Sequence, residues 1–258
     1  MRKILTSLAV VGVLASTLSA DFARVEMGAG SWMQTPSGYA TRTDGDGSLS
    51  LNGTYTSNET ATSDIYVWAL VKHPIPILPN LRLEYVTVTD EGKTSGSVGG
   101  LAIPTGSEAP TTMDMTQFDI VPYYNILDNT FWTTIDLGLD IKIIQTDVNV
   151  GKVTVVGFTP FDGYSSSDTT AIPLLYARTR VEIPFTGIGF EVDAKAISDG
   201  TNTMYDARAK VDYTFNITPL IQPGLEVGYR AQQLRVDDGA TQIDLNYSGL
   251  YAGLMLRF

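Results

Sequence analysis

Two consecutive stretches of this chain carry a charge at almost every second position. In residues 189–197, Glu191, Asp193 and Lys195 alternate with Phe190, Val192, Ala194 and Ala196. In residues 204–215, Asp206, Arg208, Lys210 and Asp212 alternate with Tyr205, Ala207, Ala209, Val211 and Tyr213. The same spacing recurs at Arg82 and Glu84, at Asp136, Asp140 and Lys142, and at Arg178, Arg180 and Glu182; Arg24, Glu26, Glu226 and Arg230 extend it. Acids and bases mixed at period two can neutralise one another as ion pairs or line a path for a polar solute. The leading expectation is a structural ion-pair network, and the alternative is a narrow channel for small solutes.

Other chemistry is sparse. With no cysteine there is no thiol nucleophile, thiolate metal site or disulfide. The single histidine, His73, directly precedes Pro74. No Ser-His-Asp set can be assembled around it, and it reads as a turn residue. Asp44, Asp46 and Ser48 lie in D-G-D-G-S, but a calcium loop starting at Asp44 would need Gly and Glu where Leu49 and Tyr55 stand. Gly28 and Gly30 lie on a strand-like stretch with no helix after it, so no nucleotide loop follows. No catalytic residue, cofactor or metal is expected. The formal charge of −11, without a basic patch, argues against a nucleic-acid partner.

The charged positions need strands to hold them, because only a period of two sends alternate side chains to opposite faces. Ten such strands are predicted, over residues 22–32, 63–73, 81–90, 113–124, 130–146, 170–183, 189–197, 204–215, 222–236 and 243–258. The fifth shows the pattern most clearly. Ile135, Leu137, Leu139, Ile141 and Ile143 share one face, and Asp136, Gly138, Asp140 and Lys142 the other. The last strand ends L-Y-A-G-L-M-L-R-F, with Leu250, Ala252, Leu254, Leu256 and Phe258 on a wholly apolar face. It should pair antiparallel with the first strand.

The connections sort by length. Those at 33–62, 91–112 and 147–169 are long and rich in Gly, Ser, Thr and Pro, and residues 48–56 and 152–158 could add short strand arms there. Those at 74–80, 125–129, 184–188 and 216–221 are tight. Long loops at one rim and short turns at the other are the layout of an outer-membrane barrel. Aromatic residues at strand ends, among them Phe131, Phe190, Tyr205 and Phe215, suit its interfacial girdles. An open sheet cannot put this apolar face in lipid, because its edges would be unsatisfied, so the sheet must close. The expected fold is therefore an all-β, closed, antiparallel up-and-down barrel of about ten strands, with eight or twelve as variants.

The N-terminus supports the same compartment. M-R-K, an apolar run from Ile4 to Ala15 and a small-residue segment ending at Ala20 describe a cleaved signal peptide over residues 1–20. A single barrel domain would then fill residues 21–258. Without Arg2 and Lys3 the 17 basic residues become 15 against 28 acidic ones, a formal charge of −13.

The stretch Y-V-W-A-L-V-K-H-P-I-P-I-L-P-N-L-R-L-E-Y, residues 66–85, resembles a family of small outer-membrane β-barrel proteins. Its features are the H-P-x-P-x-L-P-N turn and the R-x-x-Y strand; D-L-G-L-D-I-K at 136–142 and the terminal Y-A-G-L-M-L-R-F are similar too. The resemblance implies a barrel and brings no activity or catalytic residue with it. The expectation is a non-enzymatic integral protein of the cell outer membrane, with both termini periplasmic and a structural or surface-contact role through its long loops; a narrow porin-like channel is the alternative, and an outer-membrane lipid-modifying enzyme ranks behind both. Its partners would be outer-membrane lipid and lipopolysaccharide, the barrel-assembly machinery during insertion, and any surface ligand taken by the long loops.

Overall fold

The computed structural model describes residues 24–42, 51–75, 77–218 and 220–258. The signal segment at 1–20, Phe22, and the acidic loop with Asp44, Asp46 and Ser48 lie outside these residues. Among the described residues twelve strands form: β1 (Arg24–Arg42), β2 (Leu51–Ser57), β3 (Thr62–Lys72), β4 (Asn80–Val98), β5 (Leu101–Ala102), β6 (Ala109–Thr130), β7 (Thr133–Val150), β8 (Tyr164–Glu182), β9 (Ile188–Ser198), β10 (Thr203–Thr214), β11 (Gln222–Asp237) and β12 (Thr241–Arg257).

Ten of them make one closed antiparallel ring. The order is β1-β3-β4-β6-β7-β8-β9-β10-β11-β12, and β12 returns to β1. The seam runs in continuous register from Glu26 opposite Arg257 to Arg42 opposite Thr241. Phe258 continues it by exchanging backbone hydrogen bonds with Val25, whose carbonyl accepts from the Phe258 N–H at 2.9 Å. Full closure leaves the apolar outer face no open edge.

The other two strands lie above the ring. β2 sits beyond the end of β3, pairing with β1 at Tyr39–Thr41 and with β4 at Gly92–Val98. β5 is a two-residue partner to the tip of β4.

The strands run further toward the long-loop end than their periodicity predicts. β1 continues to Arg42, β4 to Val98 and β7 to Val150, while β6 starts at Ala109 and β8 at Tyr164. The connections at 33–62, 91–112 and 147–169 are therefore mostly sheet. Above lipid both faces of a strand meet water, so the apolar alternation fades while the backbone ladder continues. The arm expected at 152–158 reduces to one bridge, Val153 opposite Phe161.

The turn placed at 125–129 is also different. β6 passes through it with register shifts near Leu127 and turns instead at Phe131 and Trp132. Both have positive φ, 52° and 61°, a geometry that normally selects Asn or Gly.

Burial follows the alternation with the sense of a membrane barrel. On β9, Phe190 and Val192 are 45% and 57% exposed, whereas Glu191, Asp193 and Lys195 are 3% or less. An outer belt of exposed apolar side chains runs round the ring, including Ile65, Val67, Leu139, Ile141, Leu225, Val227, Leu250 and Leu254. Charges point inward and grease outward, the reverse of a soluble sandwich. Among the described residues no helix is long and apolar enough to cross a membrane; a barrel crosses with strands.

Candidate functional site in the lumen

The inward charges converge on Glu84 of β4. Its carboxylate receives Arg82 at 2.5 Å, Lys195 of β9 at 2.6 Å and Arg208 of β10 at 2.7 Å. In a ring of ten, β4 and β10 are five places apart, so the Glu84–Arg208 contact spans the full diameter of the barrel. Arg208 also engages Asp193 at 3.0 Å. Lys195 continues to Asp119 of β6, which Lys142 of β7 meets at 2.7 Å. Lys142 reaches Asp206 at 3.1 Å, and Asp206 is clamped by Arg230 through Nε at 2.9 Å and Nη2 at 2.5 Å.

A second cluster lies nearer the short-turn end. Glu191 is approached by Arg178 at 2.8 Å, Arg180 at 3.2 Å, Arg82 at 3.4 Å and Lys210 at 3.6 Å. Arg180 forks onto Asp212 at 2.7 and 2.8 Å, and Arg178 holds Asp136 at 2.6 Å. Planar guanidinium forks of this kind suit fixed carboxylates. At the rim, Glu182 collects Arg24, Arg180 and Arg257 at 2.7, 3.0 and 3.2 Å. Glu26 takes Arg24 and Arg257 at 2.5 and 2.7 Å.

Aromatic side chains fill the space between the charges. Tyr66 and Trp68 of β3 both donate to Glu226, at 2.8 and 2.9 Å, and Lys210 meets the other carboxylate oxygen at 3.0 Å. Lys210 and Arg82 also lie over the Trp68 ring at 4.6 and 5.3 Å, and Arg230 over Trp32 at 5.2 Å. These contacts add cation–π attraction to the pairs. Gly28 lets the Trp68 indole lie across β1, since a Cβ there would be 2.5 Å from Nε1.

Eighteen of the nineteen charged residues singled out from sequence, all but Asp140, make ion pairs in this network. Asp140 is fully buried, yet neither carboxylate oxygen has a hydrogen-bond partner. Leu250, Ala252, Leu254 and Leu256 face outward on β12, and Phe258 sits at the seam.

Sequence reasoning missed Asp119, a hub joining Lys142 and Lys195, and the aromatic fillers Tyr66 and Trp68. On β6, Asp119 shares its face with Met113, Met115 and Val121, so that face does not read as polar. On β3 the inward face carries charge only near its ends, at Asp64 and Lys72, so Tyr66, Trp68 and Leu70 between them do not read as part of a polar lumen.

His73 holds the short turn. Its Nε2 donates to the Pro79 carbonyl at 2.9 Å and its Nδ1 accepts from the Ile75 N–H at 3.1 Å. Both ring nitrogens are thereby engaged. Among the described residues no group of three or more His, Cys, Asp or Glu is arranged to hold a metal ion.

No family model matches the chain, and no curated protein matches it. Among solved structures, the barrel is similar to the outer membrane protease OmpT from Escherichia coli, with a TM-score of 0.49, 9% identity, and coverage of 93% of this chain and 97% of that one. A Pseudomonas aeruginosa FadL homologue gives a TM-score of 0.39 at 9% identity, covering 92% and 90%. The translocator domain of the autotransporter NalP from Neisseria meningitidis gives 0.38 at 11%, covering 97% and 95%. At these values no residue role passes from those proteins to this one. The closed ring and its inverted polarity rest on this chain's own register and burial.

Proposed function

We propose that the protein is a non-enzymatic integral barrel of the cell outer membrane whose lumen is plugged by its own side chains. It would serve the envelope as a structural element and as a platform for surface contact. The observation that carries this reading is the diametric contact between Glu84 and Arg208, 2.7 Å long, which sits inside a continuous ion-pair tier. Such a tier leaves its charges partnered to one another rather than to a passing solute.

The apolar belt supports membrane insertion, since lipid accepts only a closed sheet with apolar side chains outward. The extended strands support surface contact. β6 has 22 residues, about twice the 9–11 that a tilted strand needs to cross a bilayer. On this reading the short turns and both termini face the periplasm. Outer-membrane lipid and lipopolysaccharide surround the belt and the extended strands, and the barrel-assembly machinery inserts the chain.

The lack of native cysteine gives a clean test of sidedness. Val156→Cys at the long-loop end should react with a membrane-impermeant maleimide on intact cells. Ile217→Cys at the short-turn end should react only after the outer membrane is permeabilised. The reverse pattern, or equal labelling of both in intact cells, would overturn the orientation. Release of the protein by an alkaline carbonate wash would overturn insertion itself.

A further inference from the structure

The lumen changes character above the ion-pair tier. Toward the long-loop end its lining becomes apolar, with Met113, Met115, Val148, Leu234, Ile243 and Leu245 around a cavity of about 250 Å³. Membrane-barrel interiors are polar as a rule, so an apolar chamber there calls for a different account from the rest of the lumen.

The chamber has a floor, a lid and an opening. Met113, Met115 and Leu245 belong to the buried cluster that continues down among the charges through Trp32, Tyr66 and Trp68. A second cluster, Val98, Ile103, Ala109, Val150 and Phe161, lies over it; Val148 packs against both clusters, and Val150 lines the cavity itself. Thr41, Thr94, Thr111, Thr146, Thr170 and Thr241 add hydroxyls around the wall.

The opening comes from unequal strand lengths. β8 pairs with β9 only from Leu175 to Glu182. Its upper half, Tyr164–Leu174, keeps β7 on one side and has no strand partner on the other among the described residues. β9 and β10 stop at Ser198 and Thr203, and their turn meets the end of β11: Thr203 pairs with Arg235, and Asn202 Oδ1 accepts from the Asp237 N–H at 3.0 Å. The result is a notch above the β9–β10 turn, with β8 as its open edge. Asp168 and Thr170 stand exposed in it although they share the parity of the buried Leu174. Outward neighbours at the notch, Ser165, Ser167 and Thr169 on β8, are exposed and polar, so it opens above the apolar belt.

Cavities lined mainly by apolar side chains take up apolar guests, and about 150 Å³ suffices for benzene; here Arg42, Asp168 and the threonines add a polar part to a mainly apolar wall. This chamber is larger, and the ionic tier closes it from below. We propose that it binds one small apolar molecule, a single substituted ring or a short alkyl chain, admitted through the notch beside β8 from the long-loop side. A free hydrocarbon and the chain end of a lipid present the same chemistry. The proposal holds whether or not the plug beneath is tight to ions.

Fluorobenzene followed by fluorine NMR tests it, with the full chain in phosphatidylcholine bilayer discs and protein-free discs as the partition blank. Organic extracts of the purified protein, analysed by mass spectrometry, report a resident lipid. Saturable binding above the blank, at one molecule per chain, is the expected result for a diffusible guest. One co-purifying lipid chain per protein, with fluorobenzene binding after its removal, supports the same site with a lipid source. Ile243→Trp fills the chamber and should weaken either guest at least about tenfold. Should that variant lose the heat-dependent gel shift of a folded barrel, Leu245→Phe is the milder replacement. Linear partition equal to the blank together with no stoichiometric lipid would overturn the proposal. So would saturable binding untouched in a folded filling variant.

Discussion

Glu84 and Arg208 meet at 2.7 Å although 124 residues separate them and their strands stand on opposite sides of the ring. Both side chains are buried, 1% and 6% exposed. Each also belongs to another pair, Glu84 with Lys195 and Arg208 with Asp193. The contact thus ties three strands, β4, β9 and β10, together across the lumen, and its loss would leave charges with no water to take them.

Arg208→Ala should accordingly be strongly destabilising. Removing one partner of a buried pair costs about 3–5 kcal/mol, mostly through the charge left behind. Here Glu84 and Asp193 would both lose a cation. Urea unfolding in lipid vesicles measures the change; a loss below about 1 kcal/mol, typical of solvent-exposed pairs, would mean that the lumen is wet.

Trp68 and Gly28 should behave as a coupled pair. A Cβ at Gly28 would lie 2.5 Å from the indole Nε1 and 2.7 Å from Cε2, so Gly28→Ala displaces the ring from Glu226. That hydrogen bond goes to a charged acceptor, a class worth about 1.5–3 kcal/mol. Trp68→Phe should cost a similar amount, and Gly28→Ala should add little on top of a Trp68→Leu change. Additive losses in the double-mutant cycle would contradict the contact.

The three tryptophans should separate by lipid access. Trp32 and Trp68 are 0% and 3% exposed, while Trp132, at the β6–β7 turn, is 53% exposed. A turn with two positive φ angles costs of order 1–3 kcal/mol per strained residue, and an interfacial anchor is a reason to keep aromatics in it. Trp132 emission should be quenched best by lipids labelled near the headgroup. Stronger quenching by labels at the chain terminus would place this rim too deep.

The sill of the notch should loosen in acid. Asp199 accepts from the backbone N–H groups of Asn202 and Thr201, at 2.6 and 2.9 Å, and from the Asn202 side chain. These bonds, led by the Asn202 backbone N–H, hold its carboxyl below the ordinary value of 3.8. A lowered folded-state value means the contribution is present above 3.8 and fades as pH falls through the folded value. Protection of the Asn202 amide against hydrogen exchange, corrected for intrinsic rates, should drop below that pH. Constant protection, or protection that rises in acid, would contradict the turn.

Much of the barrel was legible because lipid and lumen impose opposite demands on neighbouring residues. β9 and β10 state both faces in plain alternation, and the β12–β1 seam follows from closure. β2 was harder to read, because residues 51–57 lie above lipid, where Thr, Asn and Ser serve a ladder as readily as a loop. The site was partly legible for a similar reason. Charged side chains announce the lumen, but Asp119 sits among methionines, and Tyr66 and Trp68 lie mid-strand with an apolar Leu70 beside them on the same face, where nothing marks them as partners of Glu226. The apolar chamber is invisible in the alternation, since Met113, Met115 and Leu245 look like either face of a membrane strand.

Single-channel recording across planar bilayers tests the plugged lumen most directly. The wild-type barrel should give a quiet baseline at moderate voltage, and Glu84→Ala or Arg208→Ala, where folded, should give discrete openings. Reproducible steps from the wild-type protein, with a conductance that changes on altering Arg178 or Arg180, would contradict the account and establish a solute path through the same charges.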